Sequence, residues 1–209
     1  MKTPWMAMTV RDFQAALASS SPTPGGGTAS AIALGQASAL TIMVCDLTIG
    51  KDKWKEGWTI AEEAMLCSVK IMSRSGELAD EDSDAFDSVM AAFKMPKDDE
   101  KRVQNRKEAI RMATLEATLK PYETAKLALE LLSKLPELAA KGNGNAVSDV
   151  GVAGLLASAA FKGALFNVEI NLGSLPDDDA IEIRESIESI KEEGRNYSRR
   201  IMDSVRDRL

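Results

Sequence analysis

Apolar residues recur every three or four positions along most of the chain, which is the spacing of one face of an α-helix. Residues 9–19 place Val10, Phe13 and Leu17 on one face, behind Thr9, a residue type that caps helix N-termini. The same spacing predicts a helix that begins at the acidic segment 80–84 and ends before Pro96. It also predicts helices over residues 56–79, 98–119, 121–133, 152–170 and 177–208.

Residues 28–49 follow a different pattern, because no charged side chain occurs between Gly25 and Asp46. A membrane span has this length, but the stretch is rich in Ala, Ser, Thr and Gly, and the rest of the chain offers no second span. We therefore interpret it as a fully buried central helix. No alternating strand pattern occurs, so we predict an all-α, single-domain helical bundle over residues 1–209, with long buried helices rich in small residues.

Composition narrows the chemistry that the chain can carry. The net charge of −6 argues against a general nucleic-acid surface, and the absence of histidine excludes histidine-based hydrolysis and HExxH zinc chemistry. Cys45 and Cys67 are too far apart for a CxxC pair and indicate reduced, buried cysteines in a cytoplasmic protein without a secretory signal. An enzyme of this composition has to move protons with Asp, Glu, Lys, Tyr or Cys.

The sequence PTPGGG, residues 22–27, is a glycine-rich turn that opens the uncharged helix. Free backbone N–H groups at a helix N-terminus favour an anion, which predicts a contact with a carboxylate or phosphate. The lysine and hydroxyl residue of a nucleotide-phosphate loop do not follow the glycines, so this function is disfavoured. A tight turn between closely packed helices is the structural alternative.

Four carboxylates occupy residues 80–84, the segment DEDSD. They either cap the following helix or provide a proton acceptor, because burial and like charge raise the pKa of a carboxyl group. Asp82 lies four residues before Phe86 and seven before Val89, so it shares their face. We therefore expect Asp82 to point inward.

Three other polar groups could line a site. GNGNAVSD, residues 142–149, places Asn143 and Asp149 at the start of an apolar helix, and Asn167 and Asn171 interrupt the end of that helix. Buried amides need hydrogen-bond partners, which a ligand or another helix can supply. A basic cluster forms either a solvated surface or a binding site for an anionic ligand; its members are Lys94, Lys97, Lys101, Arg102 and Arg106.

Taken in order, PTPGGGTASA, DSDAF, MPK, RKEAI, GNGNAVSD and FNVEINL resemble the cyclodeaminase/cyclohydrolase family, over about residues 8–200. The resemblance implies an all-helical homodimer with its active site at the dimer interface. It implies that Asp82 of the DxxAF motif is the proton acceptor. It also implies a set of binding residues: Pro24, Gly25, Gly26, Gly27, Lys97, Arg106, Asn143, Asp149 and Asn167.

The chemistry implied is cyclisation of 5-formimidoyltetrahydrofolate to 5,10-methenyltetrahydrofolate with release of ammonia. The alternative is the cyclohydrolase reaction between 5,10-methenyl- and 10-formyltetrahydrofolate, and a non-catalytic folate-binding or assembly protein is a third hypothesis. Asp82 would act as the base, with no metal and no cofactor beyond the folate. Lys97, Arg106 and the glycine turn would receive the anionic glutamate tail, and Gly25–Gly27 would face the folate across a cleft from Asp82.

Overall fold

The computed structural model describes residues 3–209, and those residues form helices and turns without a β-strand. The single domain predicted for residues 1–209 also includes Met1 and Lys2, which lie outside the described part. The α-helices are α1 (Val10–Leu17), α2 (Gly26–Thr48), α3 (Trp58–Phe93), α4 (Glu100–Lys141), α5 (Val147–Leu172) and α6 (Ile181–Arg206). Short 3₁₀ turns occur at Trp5–Ala7, Asp52–Gly57 and Gly144–Ala146.

The helix α2 lies at the centre of the bundle, between α3 and α5, and α4 packs against those same two helices. The helix α6 covers α4 and α5. Small residues bring the backbones close together: a Cβ on Gly35 would lie 2.7 Å from Ser75 Oγ, and one on Gly163 would overlap Ser30 Oγ. The prediction of a central helix is therefore confirmed, with Leu34, Ala37 and other small or apolar side chains fully buried. The expectation that this helix is buried on every side was wrong, because Met43 and Leu47 are 39% and 43% exposed.

The expectation of only one long apolar stretch was wrong. Gly26–Thr48 and Gly144–Leu172 are both long and apolar enough to cross a membrane by length and composition. About half of each apolar window is buried inside the bundle, at 56% and 50%, and the two helices pack against each other. This arrangement is typical of core helices, whose apolar surface is covered by neighbouring helices.

The two helices predicted on either side of Pro121 form one continuous helix, α4, which also contains Pro136. A proline lacks the N–H that would bond to the carbonyl four residues earlier, which for Pro121 is the carbonyl of Ala117. Asn171 of α5 donates its side-chain N–H to that oxygen at 2.8 Å. The amide therefore supplies the missing hydrogen bond, which explains both the half-buried asparagine and the tolerated proline.

The acidic segment 80–84 lies inside α3 and caps no helix, so the predicted helix boundary there was wrong. Its carboxylates point to different partners, which separates their charges. Glu81 receives two hydrogen bonds from Arg74, at 2.5 and 2.9 Å, and lies 3.0 Å from Lys120 Nζ. Asp80 accepts the backbone N–H of Trp5 at 2.9 Å.

Two terminal helices differ in detail from their predictions. In α1, Val10 is 71% exposed and Leu17 is also exposed, whereas Phe13 is partly buried and packs against the small core around Trp5. The predicted apolar face is therefore a core face only at Phe13, and Thr9 caps the helix as expected. The last helix begins at Ile181 because Ala180 adopts a left-handed backbone conformation with φ of 54°. The apolar stripe predicted for α6 is confirmed at its buried isoleucine and valine positions, Ile183, Ile187, Ile201 and Val205.

Candidate active site

Asp82 of α3 faces the first turn of α2, where the glycine turn enters the helix. A Cβ on Gly27 would lie 2.6 Å from both Cγ and Oδ2 of Asp82, so a side chain at residue 27 would collide with the carboxylate. The hydroxyl of Thr28 donates to Asp82 Oδ2 at 3.1 Å. The glycine therefore permits a close approach between the carboxylate and the helix N-terminus.

The position of Asp82 affects its protonation in two opposing ways. Burial raises the pKa of Asp82 above its ordinary value, because the ionised form loses solvation. The hydroxyl and the backbone N–H of Thr28 lower the pKa in part, since both stabilise the carboxylate. The N-cap residue Gly25 supplies no side-chain cap, so Asp82 satisfies a free N–H that a cap would otherwise bind. A partly buried carboxyl group with a raised pKa is suited to act as a general base.

The glycine turn and Asp82 are in direct contact, so the cleft expected between them is absent within one chain. Pro24 is buried, Gly26 is exposed, and a Cβ on Gly26 would have only Asn167 Nδ2 nearby, at 3.9 Å. Asn167 donates to the carbonyl of Gly163 at 2.9 Å. The structure thus brings the segment Pro24–Gly27, Asp82 and Asn167 together.

The reason given for Asp82 pointing inward was wrong, although its orientation was predicted correctly. Phe86 is 40% exposed, so the face that it shares with Asp82 is not a core face. The carboxylate is directed inward by the space at Gly27 and by the hydrogen bonds from Thr28.

Lys97 and Arg106 lie beyond the C-terminal end of α3, about 16 Å along the helix from Asp82. Arg106 donates two hydrogen bonds to the carbonyl of Phe93, at 3.1 and 3.3 Å, and its guanidinium lies 5.5 Å from the centre of that ring. It therefore caps α3, as a cationic side chain at a helix C-terminus commonly does. Lys97 is exposed in the connection to α4, and its binding role stays a prediction.

The helix α2 is about 34 Å long, and Asn143 and Asp149 lie at the end of it that is opposite Asp82. Asn143 donates its side-chain N–H to the carbonyl of Leu47 at 2.8 Å, and its backbone N–H donates to Thr48 Oγ1 at 3.0 Å. Within one chain these two residues are therefore not part of the group around Asp82. Their role in binding stays a prediction.

Sequence reasoning missed Thr28, Ser83 and Trp5. Thr28 and Ser83 are fully buried hydroxyl residues 2.9 Å apart, and the indole N–H of Trp5 donates to Ser83 at 3.0 Å. The placement of Thr28 directly after three glycines was the one available signal. Within residues 3–209, no group of three or more His, Cys, Asp or Glu side chains is arranged to hold a metal ion.

Two open grooves lie near the Asn143 end of the bundle and do not include Asp82. One, of about 560 Å³, is lined by Trp54, Lys141 and Arg208 among others. The other, of about 510 Å³, lies between α4 and α6. Arg208 holds the loop before α5 by donating to the carbonyl of Gly142 at 3.0 Å.

The chain is similar to proteins of one family over nearly its whole length. The family model described as formiminotransferase-cyclodeaminase matches residues 9–189. A methenyltetrahydrofolate cyclohydrolase of Methylorubrum extorquens is 36% identical over 203 residues, which are 96% of this chain and 97% of that protein. A formimidoyltransferase-cyclodeaminase of Sus scrofa is 28% identical over 200 residues, and the chain spans 37% of its length. The crystal structure of a formiminotetrahydrofolate cyclodeaminase from Thermotoga maritima superposes with a TM-score of 0.85 at 26% identity, over 97% of this chain and 98% of that one.

Proposed function

Because the chain belongs to the formiminotransferase-cyclodeaminase family, we propose that it is a folate-dependent enzyme that hydrolyses 5,10-methenyltetrahydrofolate to 10-formyltetrahydrofolate. The observation that carries this proposal is the 36% identity to a methenyltetrahydrofolate cyclohydrolase that matches along 97% of its own length. The partly buried Asp82 supplies the proton acceptor that such a reaction needs.

In the proposed reaction, water attacks the carbon between N5 and N10 of the folate while Asp82 accepts a proton from the water. The bond from that carbon to N5 then breaks, N5 gains a proton, and the formyl group stays on N10, so that one proton is released overall. A positioned carboxylate base contributes about 10² to 10⁴-fold to such a step. We propose no metal and no cofactor beyond the folate.

The second candidate is the cyclodeaminase reaction, the first of the two reactions that the sequence motifs implied. The superposition on a formiminotetrahydrofolate cyclodeaminase over 97% of this chain favours it. Here N10 attacks the formimidoyl carbon on N5, Asp82 accepts the N10 proton, and the departing nitrogen leaves as ammonia after protonation. The two reactions share the base and differ in the nucleophile, which is water in one and N10 in the other.

The experiment supplies the purified protein with each folate and follows the absorbance of the methenyl form. Faster loss of 5,10-methenyltetrahydrofolate than in buffer supports the cyclohydrolase, and formation of methenyl product from 5-formimidoyltetrahydrofolate supports the cyclodeaminase. Asp82→Asn should lower the active reaction by about 10² to 10⁴-fold. Asp84→Asn is the matched control, because Asp84 lies on the same helix and is exposed. Turnover of neither folate would support the non-catalytic hypothesis.

We further propose that the enzyme is a homodimer that covers the exposed face of α2. This face carries Gln36, Ala39, Met43 and Leu47, all exposed and spaced three or four residues apart. Exposed apolar side chains also occur on the two helices that flank α2: Leu66 and Val69 on α3, and Val152, Leu155, Phe166 and Ile170 on α5. Large exposed apolar areas are typical of protein interfaces.

A twofold dimer would also account for the separated binding residues. If two copies of α2 cross antiparallel near their midpoints, the Leu47 end of one copy lies beside the Gly27 end of the other. Asn143, which is bound to the carbonyl of Leu47, and Asp149 would then approach the Asp82 of the other chain. The proposed site would thus take residues from both chains.

Mixing two inactive variants tests this shared site. Asp82→Asn and Asp149→Asn each remove a residue from a different half of the shared site. When the two variants are mixed at random, half of the dimers are heterodimers, and each heterodimer has one intact site of its two. The mixture should therefore show about one quarter of the wild-type activity. Sedimentation equilibrium measures the oligomeric state. Recovery of no activity after subunit exchange, or a monomer at the assay concentration, would reject the shared site.

We propose that Lys97 and Arg106 receive the glutamate tail of the folate, including a polyglutamylated tail. Arg106 of α4 is bound to the last residue of α3, about three helical turns from Asp82, and Lys97 lies in the connection between the two helices. Lys97→Gln should raise KM for both forms of the substrate, and by more for the polyglutamylated form because it carries more carboxylates. An unchanged KM for both substrates in the variant would reject the role.

A further inference from the structure

The short 3₁₀ turn Trp5–Ala7 packs against α3 beside Asp82. Trp5 is 7% exposed, lies in a small core with Ala31 and Leu78, and donates its backbone N–H to Asp80 Oδ1 at 2.9 Å. Its indole N–H donates to Ser83 Oγ at 3.0 Å. A segment more than seventy residues away in sequence is thus connected to the residue next to the proposed base.

The hydrogen bonds from Trp5 to Asp82 have one consistent direction. An indole N–H can only donate, so Ser83 Oγ accepts it. The hydroxyl of Thr28 donates to Asp82 Oδ2 at 3.1 Å, which uses its only proton. The contact of 2.9 Å between Thr28 and Ser83 therefore uses the proton of Ser83. Each donor in the chain points towards the carboxylate.

Burial strengthens this series of hydrogen bonds, because Thr28 and Ser83 are both fully buried and water does not compete for their hydroxyl groups. Hydrogen bonds in a shielded environment polarise one another, so each donor strengthens the next. Donation to the ionised carboxylate favours that form and lowers the pKa that burial raises.

Among residues 3–209, no charged side chain forms an ion pair with Asp82. On α3, Glu81 is bound to Arg74 and Lys120, and Asp80 accepts the N–H of Trp5. The helix α2 carries no charged side chain before Asp46, and α5 presents the amide of Asn167 to this region. The neutral hydroxyl groups, together with the backbone N–H of Thr28, therefore stabilise the ionised carboxylate.

We propose that Trp5, Ser83 and Thr28 form a directional hydrogen-bond relay that holds Asp82 as an ionised proton acceptor. The three are positioning residues, and the proposal rests on the proposed function of Asp82 as the base. The N-terminal turn thus belongs to the active site through its effect on the carboxylate, and Trp5 has a role there besides its packing.

The test measures the pKa of Asp82 in the resting protein, from the ¹³C chemical shift of its carboxyl carbon. Removing the relay should raise this pKa by an amount that decreases with distance from Asp82: roughly one unit for Thr28→Val, about 0.1 to 0.3 unit for Ser83→Ala, and less for Trp5→Phe. Thr28→Ser keeps the hydroxyl and should restore the wild-type value. Trp58→Phe is the matched control, because it removes an indole N–H that donates to the carbonyl of Lys51, away from Asp82.

The pH dependence of kcat/KM should follow the same order. A raised pKa keeps the base protonated to higher pH, so the acidic limb of the profile moves to higher pH, and a shift of half a unit lowers the rate on that limb about threefold. A merely structural role would lower activity at all pH values and leave the limb in place. If Thr28→Val does not fold, the comparison of Ser83→Ala with Thr28→Ser provides the same measurement.

The outcomes separate the relay from the proposed function. An unchanged Asp82 pKa in both Ser83→Ala and Trp5→Phe would overturn the relay, even if Asp82→Asn is inactive. Full activity of Asp82→Asn would instead overturn Asp82 as the base, while the ordered pKa shifts would still be observed in the resting protein.

Discussion

Replacing Gly27 by alanine tests whether the glycine turn exists to let the carboxylate of Asp82 approach α2. The new Cβ would lie 2.6 Å from Cγ and Oδ2 of Asp82, far inside ordinary contact distance. Because these atoms end a short side chain, Asp82 can turn away at a cost of about 0.5 to 1.5 kcal/mol. Alanine is favoured over glycine in a helix by up to about 1 kcal/mol, which offsets that cost. We therefore expect the free energy of unfolding to stay within about 1 kcal/mol of the wild type.

Activity should respond much more strongly than stability. A carboxylate that has turned away from Gly27 loses the hydrogen bond of 3.1 Å from Thr28 and its position relative to the substrate. A displacement of about 1 Å can cost roughly 10²-fold in rate, so kcat/KM should fall by about that factor. The assay is turnover of the active folate, with thermal unfolding recorded in parallel and a Tm change of at most about 4 °C expected.

Gly26→Ala is the matched control, because it makes the same chemical change one residue earlier. Its Cβ would have only Asn167 Nδ2 nearby, at 3.9 Å, which is an ordinary contact. Asp82 should keep its position and its pKa, so the acidic limb of the pH profile should match the wild type. Wild-type kcat/KM in Gly27→Ala would refute the close-approach argument. A loss of more than about 3 kcal/mol would indicate that the turn serves packing above all.

Three further predictions concern stability and reactivity. Burial raises the pKa of Asp82 above its ordinary value of 3.8, so the ionised carboxylate destabilises the native state at neutral pH. In urea unfolding, Asp82→Asn should therefore be more stable than the wild type at pH 7 and equally stable below pH 3.8. Greater stability of the wild type at pH 7 would contradict this prediction. Arg74 lowers the pKa of Glu81, so Arg74→Ala should reduce the free energy of unfolding by about 1 to 2 kcal/mol at pH 7. This reduction should become smaller as the pH falls below 4.5 and Glu81 becomes protonated. A reduction that is independent of pH would indicate lost packing instead. Burial raises the pKa values of the Cys45 and Cys67 thiols to about 12. Iodoacetamide at pH 8 should therefore modify neither thiol in the native protein and both thiols in urea. Rapid modification of the native protein would contradict their burial.

Local patterns predicted most of the helices, because helical periodicity depends on neighbours within one or two turns. The stripe of α6 and the cap at Thr9 are examples, and both are present in the structure. Helix ends were less predictable where a distant residue changes the local rule. Pro121 predicts a helix start, but Asn171 of another helix donates to the carbonyl that the proline leaves free, so α4 continues.

By itself, the sequence determined that the chain is helical, that residues 28–49 form a core helix and that glycines at 25–27 favour a close approach. Its motifs also indicated Asp82 as the base. Only the tertiary structure decided what the glycines approach, since Gly27 and Asp82 meet because α2 crosses α3 at that point. It also placed Thr28, Ser83 and Trp5 in one hydrogen-bond chain, and Asn143 at the far end of α2. These contacts depend on how helices distant in sequence pack, and local periodicity carries no information on that packing.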